Sequence, residues 1–328
     1  MKRTIRKIAV AMDHFKRLAG LCIVNAVFML TLVFSFQKAN TQTPYNPGKL
    51  AVLVVGDGSA ALSGSATPVF VKEFNITGAG QLGTLRTSFP TVAVSGTSSV
   101  NRALTQSGSG TSEGFIGLST NRQFLLVTGY NSTNGSATVS SSVATTFPTN
   151  TRVIAKINAT GVADTKSTLF TSNSGSAIRS AASVDGTGYW TTGALGMFYV
   201  LNGNVAAPTN LTLTNTRVTS IFNNQLYSSS GAAGFRMATL GTGLPTSGSP
   251  VLTNLNGFLT STGDPYSHLF LDLNGGGPDV LYIASLSAAP SGLLKYTSSN
   301  NGATWSAAGS ILGNVFGVTG VFNSCTGN

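Results

Sequence analysis

The chain has 328 residues, with 19 Lys and Arg against 9 Asp and Glu, a formal charge of +10. Seven of the basic residues (Lys2, Arg3, Arg6, Lys7, Lys16, Arg17, Lys38) and one acid, Asp13, lie before residue 42, so the remainder carries 12 − 8 = +4 with no Lys/Arg cluster. That excludes a nucleic-acid footprint, which needs clustered cations and stacking aromatics, and the apolar and β-branched residues recurring throughout exclude a disordered chain.

The first element is an apolar leader. Leu18–Phe36 holds 19 residues without a charge, behind six Lys/Arg and ahead of Lys38. A signal-peptide apolar region is about 7–15 residues and a spanning helix about 20, so the segment lies between the two. Residues 1–41 are read as a helical signal peptide cleaved within Gln37–Gln42, with an uncleaved signal anchor as the alternative. Positive residues stay inside, so both readings export the chain beyond Phe36, and contact with a membrane runs only through residues 18–36, where the leader is not cleaved. Cys22 precedes most of the apolar run, which excludes a lipoprotein site. With Cys325 near the other end, it offers the folded part no disulfide framework.

Residues 42–49, within "TQTPYNPGK", read as a linker, and residues 50–328 as one folded domain. Its opening segments are short and strand-like: Leu50–Val55 ending at Gly56-Asp57-Gly58, Pro68–Phe74, then "GTLRTSFP" closed by Pro90. No segment beyond the leader carries a 3.6-residue apolar stripe, and short apolar runs bounded by Gly, Asn, Asp and Pro are the all-β signature. One unit recurs: an apolar strand, a Ser/Asn/Asp/Gly turn and an aromatic-bearing strand, at Gly114–Tyr130, Ser180–Gly193, Arg217–Ser230 and His268–Ser285, with half a copy at Asn314–Asn328. A second echo is "PTNTRV" at Pro148–Val153 and "LTNTRV" at Leu213–Val218. Repeats roughly 40–65 residues apart fit propeller blades with loop insertions. The expected fold is therefore an all-β propeller of about six or seven four-stranded blades. In a closed ring Leu50–Val55 and Pro68–Phe74 would complete the blade begun by Val315–Phe322. The half copy at the end points to a split final blade or a domain that is incomplete at its C-terminus.

Chemistry-bearing motifs are few. "TSSNNGATWS" (Thr297–Ser306) resembles the Asp-box of sialidases, S-x-D-x-G-x-T-W, through Ser298, Gly302, Thr304 and Trp305, with Asn300 in the acidic position. The resemblance implies a hairpin turn on the outer part of a blade, away from any active site. The turn chemistry agrees: an Asx oxygen takes backbone donors, glycine supplies φ > 0, and the indole packs on the sheet. A sialidase would also need an arginine cluster, a Tyr–Glu pair and an acid; Glu73 and Glu113 are the only glutamates, and the arginine motif near the start of such enzymes is missing. "DLNGGGPDVL" (Asp272–Leu281) resembles the calcium loop of FG-GAP repeats. Asp272, Asn274 and Asp279 are its candidate ligands, but Gly276 replaces the third, and three donors are thin for an ion that takes six to eight oxygens. An Asx/Gly turn is the plainer reading. His268 is the only histidine beyond the leader, and "GTSEG" (Gly110–Gly114) matches G-x-S-x-G without a helix after it, so neither supports a nucleophile.

"NPGKLAVLVVGDGSAALSGSATPVFVKEF", "TSEGFIGLS", "IRSAASVDGTGYW" and "DPYSHLFLDLN" are together similar to a group of secreted β-propeller-like proteins of environmental bacteria. The resemblance covers nearly all of the chain after residue 45 and implies the propeller and export, with no activity to carry over. The function expected is an exported, non-catalytic binding or surface-interaction module for a glycan or protein, without a cofactor unless calcium binds. The alternatives are a glycan-active or lactonase-type hydrolase and a structural surface or matrix protein. Side chains lining the centre decide: acids, histidine and arginines favour the enzyme, whereas Ser, Thr and Asn count against it.

Overall fold

The computed structural model describes residues 44–320 except 79, 95–99, 146, 233, 259–262 and 287–290. The expected leader helix, Cys22 and Cys325 lie outside the described residues. Among those described, no helix is long and apolar enough to cross a membrane.

The described chain is almost entirely β, and every strand pairing is antiparallel. The first sheet contains β1 (Lys49–Val55), β2 (Ala66–Asn75), β3 (Thr84–Ser88), β4 (Thr105–Ser107), β5 (Gly117–Leu118), β6 (Phe124–Tyr130), β7 (Arg152–Asn158) and β8 (Ala163–Leu169). Its order is β1-β2-β4-β6-β7-β8, with β3 on β2 and β5 on β6. Three four-stranded meanders come after it. The second sheet is β9 (Ile178–Ala182), β10 (Gly188–Gly193), β11 (Gly196–Leu201) and β12 (Thr209–Thr212). The third is β13 (Thr219–Phe222), β14 (Gln225–Ser229), β15 (Met237–Leu240) and β16 (Leu252–Asn254). The fourth is β17 (Pro265–Leu271), β18 (Val280–Ser285), β19 (Gly292–Thr297) and β20 (Ser306–Ile311).

The cores lie between sheets. Leu126, Tyr130 and Ile154 of the first sheet pack with Ile178, Tyr189 and Phe198 of the second. Trp190, Met197 and Leu211 pack with Leu226, Ala238 and Leu240 of the third. Tyr227 and Met237 pack with Phe270, Leu281, Ile283 and Trp305 of the fourth. Each sheet thus hides its apolar face against the next, the economy of a β-propeller, where one small sheet cannot cover both of its faces. Strands of successive sheets are neighbours: β9 contacts β5, β6 and β13, and β17 contacts β14. The approach is tight at Gly117, where a Cβ would stand 2.3 Å from the Ala181 carbonyl oxygen, so only glycine fits.

The four complete sequence repeats fall on the inner hairpins, β5–β6, β9–β10, β13–β14 and β17–β18. Their turns carry the expected residues, such as Asn223 and Asn224 at φ 45° and 58° between β13 and β14. The "NTRV" echo, by contrast, marks no equivalent position: Arg152 opens the third strand of its meander, whereas Arg217 precedes the first strand of its own.

The first sheet departs from the four-stranded expectation. β2 is 10 residues long: Val69–Asn75 pairs with β1, Phe70–Glu73 also with β3, and Ala66–Pro68 reaches on to β4. β4 joins β6 through the single pair Thr105–Tyr130, which stitches two meanders together. No ladder joins 315–320 to β1 among the described residues. That segment lies against β17 instead, with Phe316 edge-on to Tyr266 at 5.3 Å and the Val318 carbonyl accepting a bond from Ser267 Oγ at 3.3 Å.

Candidate functional site

The polar groups of interest gather at one end of the inner hairpins. Glu113 stands just before β5, and Tyr130 ends β6. Arg152 opens β7, Arg179 lies early in β9, Arg217 precedes β13, Asp264 immediately precedes β17, and Tyr266 is its second residue. Antiparallel inner hairpins place the start of the first strand beside the end of the second, so every sheet delivers its contribution to the same end.

The two glutamates have opposite surroundings. Glu73 is satisfied: Arg86 Nε donates to Oε2 at 2.6 Å, and Asn46 donates from its backbone at 2.6 Å and its side chain at 3.1 Å. Glu113 Oε2 is buried without a partner. Burial pushes the Glu113 carboxyl up to about 7, against the pull of the Tyr130 hydroxyl, the Ser107 backbone and the charges of Arg152 and Arg179. Tyr130 is fully buried, and its hydroxyl lies beside Glu113, yet no bond to it meets ordinary hydrogen-bond geometry.

The arginines divide as well. Arg152 is fully buried with its guanidinium 5.1 Å from the Tyr130 ring centre. It donates to four carbonyls, those of Ser140, Ser142, Asn150 and Ser176, through Nε, Nη1 and Nη2. Burial lowers its pKa to about 10, opposed by Tyr130 and Glu113. It contributes charge to the cluster and bonds to the scaffold.

Arg179 and Arg217 are built differently. Arg179, 8% exposed, donates from Nη1 to the side chain of Asn215 and the carbonyl of Thr216, leaving Nε buried and unpaired. Burial lowers its pKa, and repulsion from Arg217 lowers it further. Arg217 Nη2 lies 2.6 Å from Asp264 Oδ1, and its guanidinium sits 3.9 Å above the Tyr266 ring. Its Nε and Nη1 are buried without partners. The Arg217 backbone is pinned to the second sheet, its carbonyl accepting from Ser180 Oγ and Thr192 Oγ1. Phe115, 6.3 Å from Tyr266 between ring centres, and Phe316 add aromatic surface.

No family model matches the chain, and no curated protein matches it either. Solved structures give distant likenesses. A chain of a mitotic checkpoint complex aligns over 85% of this chain and 88% of its own at 12% identity and a TM-score of 0.40. TolB from Acinetobacter baumannii aligns over 85% of this chain and 68% of its own at 15% identity and 0.37. A GH74 enzyme from Niastella koreensis gives 78% and 37% at 12% identity and 0.35, so this chain spans well under half of that one. At these values the likenesses add nothing to what the sheet order shows.

The residues of the Asp-box-like and calcium-loop-like motifs lie elsewhere. Ser298, Asn300, Gly302, Thr304 and Trp305 form the β19–β20 turn at the outer edge of the fourth sheet. Ser298 Oγ donates to Asn300 Oδ1 at 2.8 Å and accepts from Gly302 N at 2.9 Å; Asn300 Oδ1 also accepts from Thr304 N at 2.9 Å. Gly302 has φ 86°, and Trp305 is 3% exposed against Phe270 and Phe258. Asp272 and Asn274 accept bonds from the amides of Gly275, Gly276 and Gly277, and Asp279 accepts from that of Leu273. These carboxylates thus bond to backbone amides within the β17–β18 turn. No group of three or more His, Cys, Asp or Glu converges among the described residues.

His268 faces the third sheet, its Nε2 2.7 Å from Ser220 Oγ, while Nδ1 is buried without a partner. A Ser-His pair with nothing to orient the imidazole lacks the third member of a triad. No motif announces the Glu113 and arginine cluster. Its only traces in the sequence are the scarcity of glutamate and the arginine within each "NTRV".

Proposed function

We infer that the chain is an exported β-propeller that binds a ligand, glycan or protein, at the mouth formed by Glu113, Arg179, Arg217, Asp264 and Tyr266. One observation carries this reading: three buried guanidinium donors, Arg179 Nε and Arg217 Nε and Nη1, lack partners in a region partly open through Arg217 and Asp264, whose side chains are 14% and 22% exposed. Buried polar groups in folded proteins are paired, so an unpaired set beside a surface opening marks a place where a ligand completes the bonding. Export rests on the charged apolar leader, and binding without catalysis on the acids available.

Hydrolysis is the second reading, favoured by Glu113, whose carboxyl near 7 next to a phenol suits proton transfer. It stands second because a glycosidase uses a pair of placed carboxyl groups, and the other acid of the mouth, Asp264, is bound to Arg217.

The test is a screen of the exported protein against neutral and charged saccharides and peptides by ligand-observed NMR, repeated with Tyr266→Ala and Arg217→Gln. Binding weakened by both variants supports the reading; binding indifferent to both removes the mouth as the site. Turnover of a fluorogenic glycoside or lactone that Glu113→Gln abolishes would favour the enzyme.

A further inference from the structure

We propose a second binding site, apart from the mouth and independent of its reading: a polar cavity at the far end of the first sheet that takes a small hydroxylated carboxylate, a uronate by class, on the outer edge of the Arg86 guanidinium with Lys49 beside it. The cavity measures about 480 Å³ and lies where the chain entering β1 meets the β2–β3 hairpin. β2 starts near the mouth, because Pro68 pairs with Thr105 of β4 and Thr105 pairs with Tyr130. From Pro68 to Asn75, roughly 20 Å of extended strand then separates the two places.

The strand register builds the cavity. Partners across an antiparallel pair share a face, and faces alternate along each strand. Val69, Val71, Glu73 and Asn75 therefore share one face of β2, opposite Val55, Leu53, Ala51 and Lys49 of β1. The valines and Leu53 enter the core that this face forms with β6 and β7. At Glu73 and Asn75 the same face turns polar. The β2–β3 register shifts between Val71 and Lys72, which leaves Arg86 as the extra residue of a bulge. A bulge re-aims a side chain, and Arg86 Nε meets Glu73 Oε2 at 2.6 Å.

The site is already assembled. The Glu73 and Arg86 side chains are only 3% and 8% exposed. Asn46 donates to both oxygens of Glu73, from its backbone to Oε1 and from its side chain to Oε2. Gln81 holds the hairpin wall, accepting from the Asn75 amide and donating to the carbonyls of Thr77 and Gly78, each at 2.8 Å.

The groups left over are mainly donors. Arg86 lines the cavity with Nε committed to Glu73, while Nη1 and Nη2 have no acceptor among the described residues and are not sealed from solvent. Their outward N–H bonds run parallel in one plane, the fork that takes both oxygens of one carboxylate. Lys49 is exposed and donates to Asn75 Oδ1, a neutral acceptor, so its charge is unmatched and further N–H bonds remain. Two cations, Lys49 and Arg86, against one anion, Glu73, leave a single positive charge in the lining, which suits a monoanion. Asn46 and Thr84 add oxygens that can accept from hydroxyls. Only Phe74 and Leu82 bring apolar side chains, and Leu82 is 89% exposed, so an apolar body would gain little burial. The space exceeds a bare carboxylate and matches a small-molecule site, so the acid expected is one carried on a hydroxylated ring.

Titration calorimetry or NMR on the full chain compares sodium glucuronate with glucose, N-acetylglycine and inorganic phosphate. Glucuronate is expected to bind at least tenfold more tightly than each of the others and to weaken as salt is raised. Lys49→Gln, at an exposed position that spares the fold, should reduce its affinity severalfold. Arg86→Met combined with Glu73→Gln removes the fork and its buried counter-charge together and should abolish binding, with the fold checked by urea unfolding. Glucose as tight as glucuronate overturns the carboxylate, and N-acetylglycine or phosphate as tight overturns the hydroxylated acid. No binding of any probe at millimolar concentration overturns the site. Binding lost in Arg217→Gln but kept in Lys49→Gln places the acid at the mouth and overturns it equally.

Discussion

Glu113 and His268 pull stability in opposite directions with pH, and substituting either one exposes the other. In the unfolded chain a glutamate titrates at 4.5, whereas folded Glu113 holds its proton up to about 7. Between these values the folded state binds one proton more than the unfolded state, so stability falls as pH rises through the window. At about 1.36 kcal/mol per pH unit the full excursion is about 3 kcal/mol, present below pH 4.5 and lost above 7. His268 does the reverse. Burial lowers its pKa from 6.5 to about 4, so between these values the unfolded state carries the extra proton, and stability rises with pH by a similar amount.

From pH 4.5 to 6.5 the two slopes oppose, and the wild-type profile contributed by this pair is nearly flat. Glu113→Gln removes the falling limb, so its stability should climb from pH 4 to 6.5 and then level off. At pH 8 it should exceed the wild type by up to about 3 kcal/mol, a rise of about 6–10 °C in melting temperature for a domain of this size. His268→Gln should leave the falling limb alone, with stability declining from pH 4.5 to 7. Of the groups facing Glu113, Tyr130, raised by burial, and Arg152, near 10, keep their protonation across this window and cannot supply the slope. Urea unfolding monitored by tryptophan fluorescence at half-unit intervals from pH 4 to 8 measures all three curves. A Glu113→Gln curve parallel to the wild type between pH 5 and 7 would refute the buried, proton-retaining carboxyl.

Other perturbations have simpler readouts. Trp305→Ala empties a site that is 3% exposed between Phe258 and Phe270 and should cost about 3–5 kcal/mol in urea unfolding. At Asn300 the turn needs an oxygen, so Asn300→Asp should stay within about 0.5 kcal/mol of wild type, whereas Asn300→Ala, losing the acceptor for Ser298 Oγ and Thr304 N, should cost about 1–2 kcal/mol. Arg86→Met leaves Glu73 buried without its cation and should destabilise by about 3–5 kcal/mol, largely restored by a matching Glu73→Gln in a double-variant cycle. Millimolar calcium or a chelator should leave the melting temperature unchanged, because the Asp272 and Asp279 carboxylates already bond to backbone amides; a calcium-induced rise of several degrees would contradict that turn.

Local features were legible in the sequence and convergent ones were not. The repeat of apolar strand, Asx/Gly turn and aromatic strand is written in adjacent residues, and it landed on the four inner hairpins because turn geometry is a local demand. The merging of β1–β3 with the next meander was not legible, because it depends on the length of β2 relative to its partners and on one pair, Thr105 with Tyr130. The mouth was hidden for the same kind of reason. Glu113 meets Arg152 and Arg179 only once the first sheet packs on the second, and Arg217 reaches Asp264 only once the third meets the fourth.

The "NTRV" echo shows how sequence likeness and structural role can part. Asn150-Thr151-Arg152 and Asn215-Thr216-Arg217 occupy non-equivalent places in their sheets, yet both arginines come to the same mouth. In each copy the threonine is fully buried and its hydroxyl donates to a backbone carbonyl, Pro148 for Thr151 and Gly196 for Thr216. The segment is therefore a device for anchoring a backbone immediately before a buried cation. What differs is the arginine's surroundings. Around Arg152 the chain folds back and offers carbonyls from Ser140 to Ser176, so the cation is absorbed into the scaffold. Around Arg217 a single carboxylate and an aromatic face are offered, and two donors remain. The same four residues thus supply an arginine paired with four carbonyls in one sheet and an arginine with two unpaired nitrogens in another, and the division between them is set by how many carbonyls the neighbouring loop can turn inward.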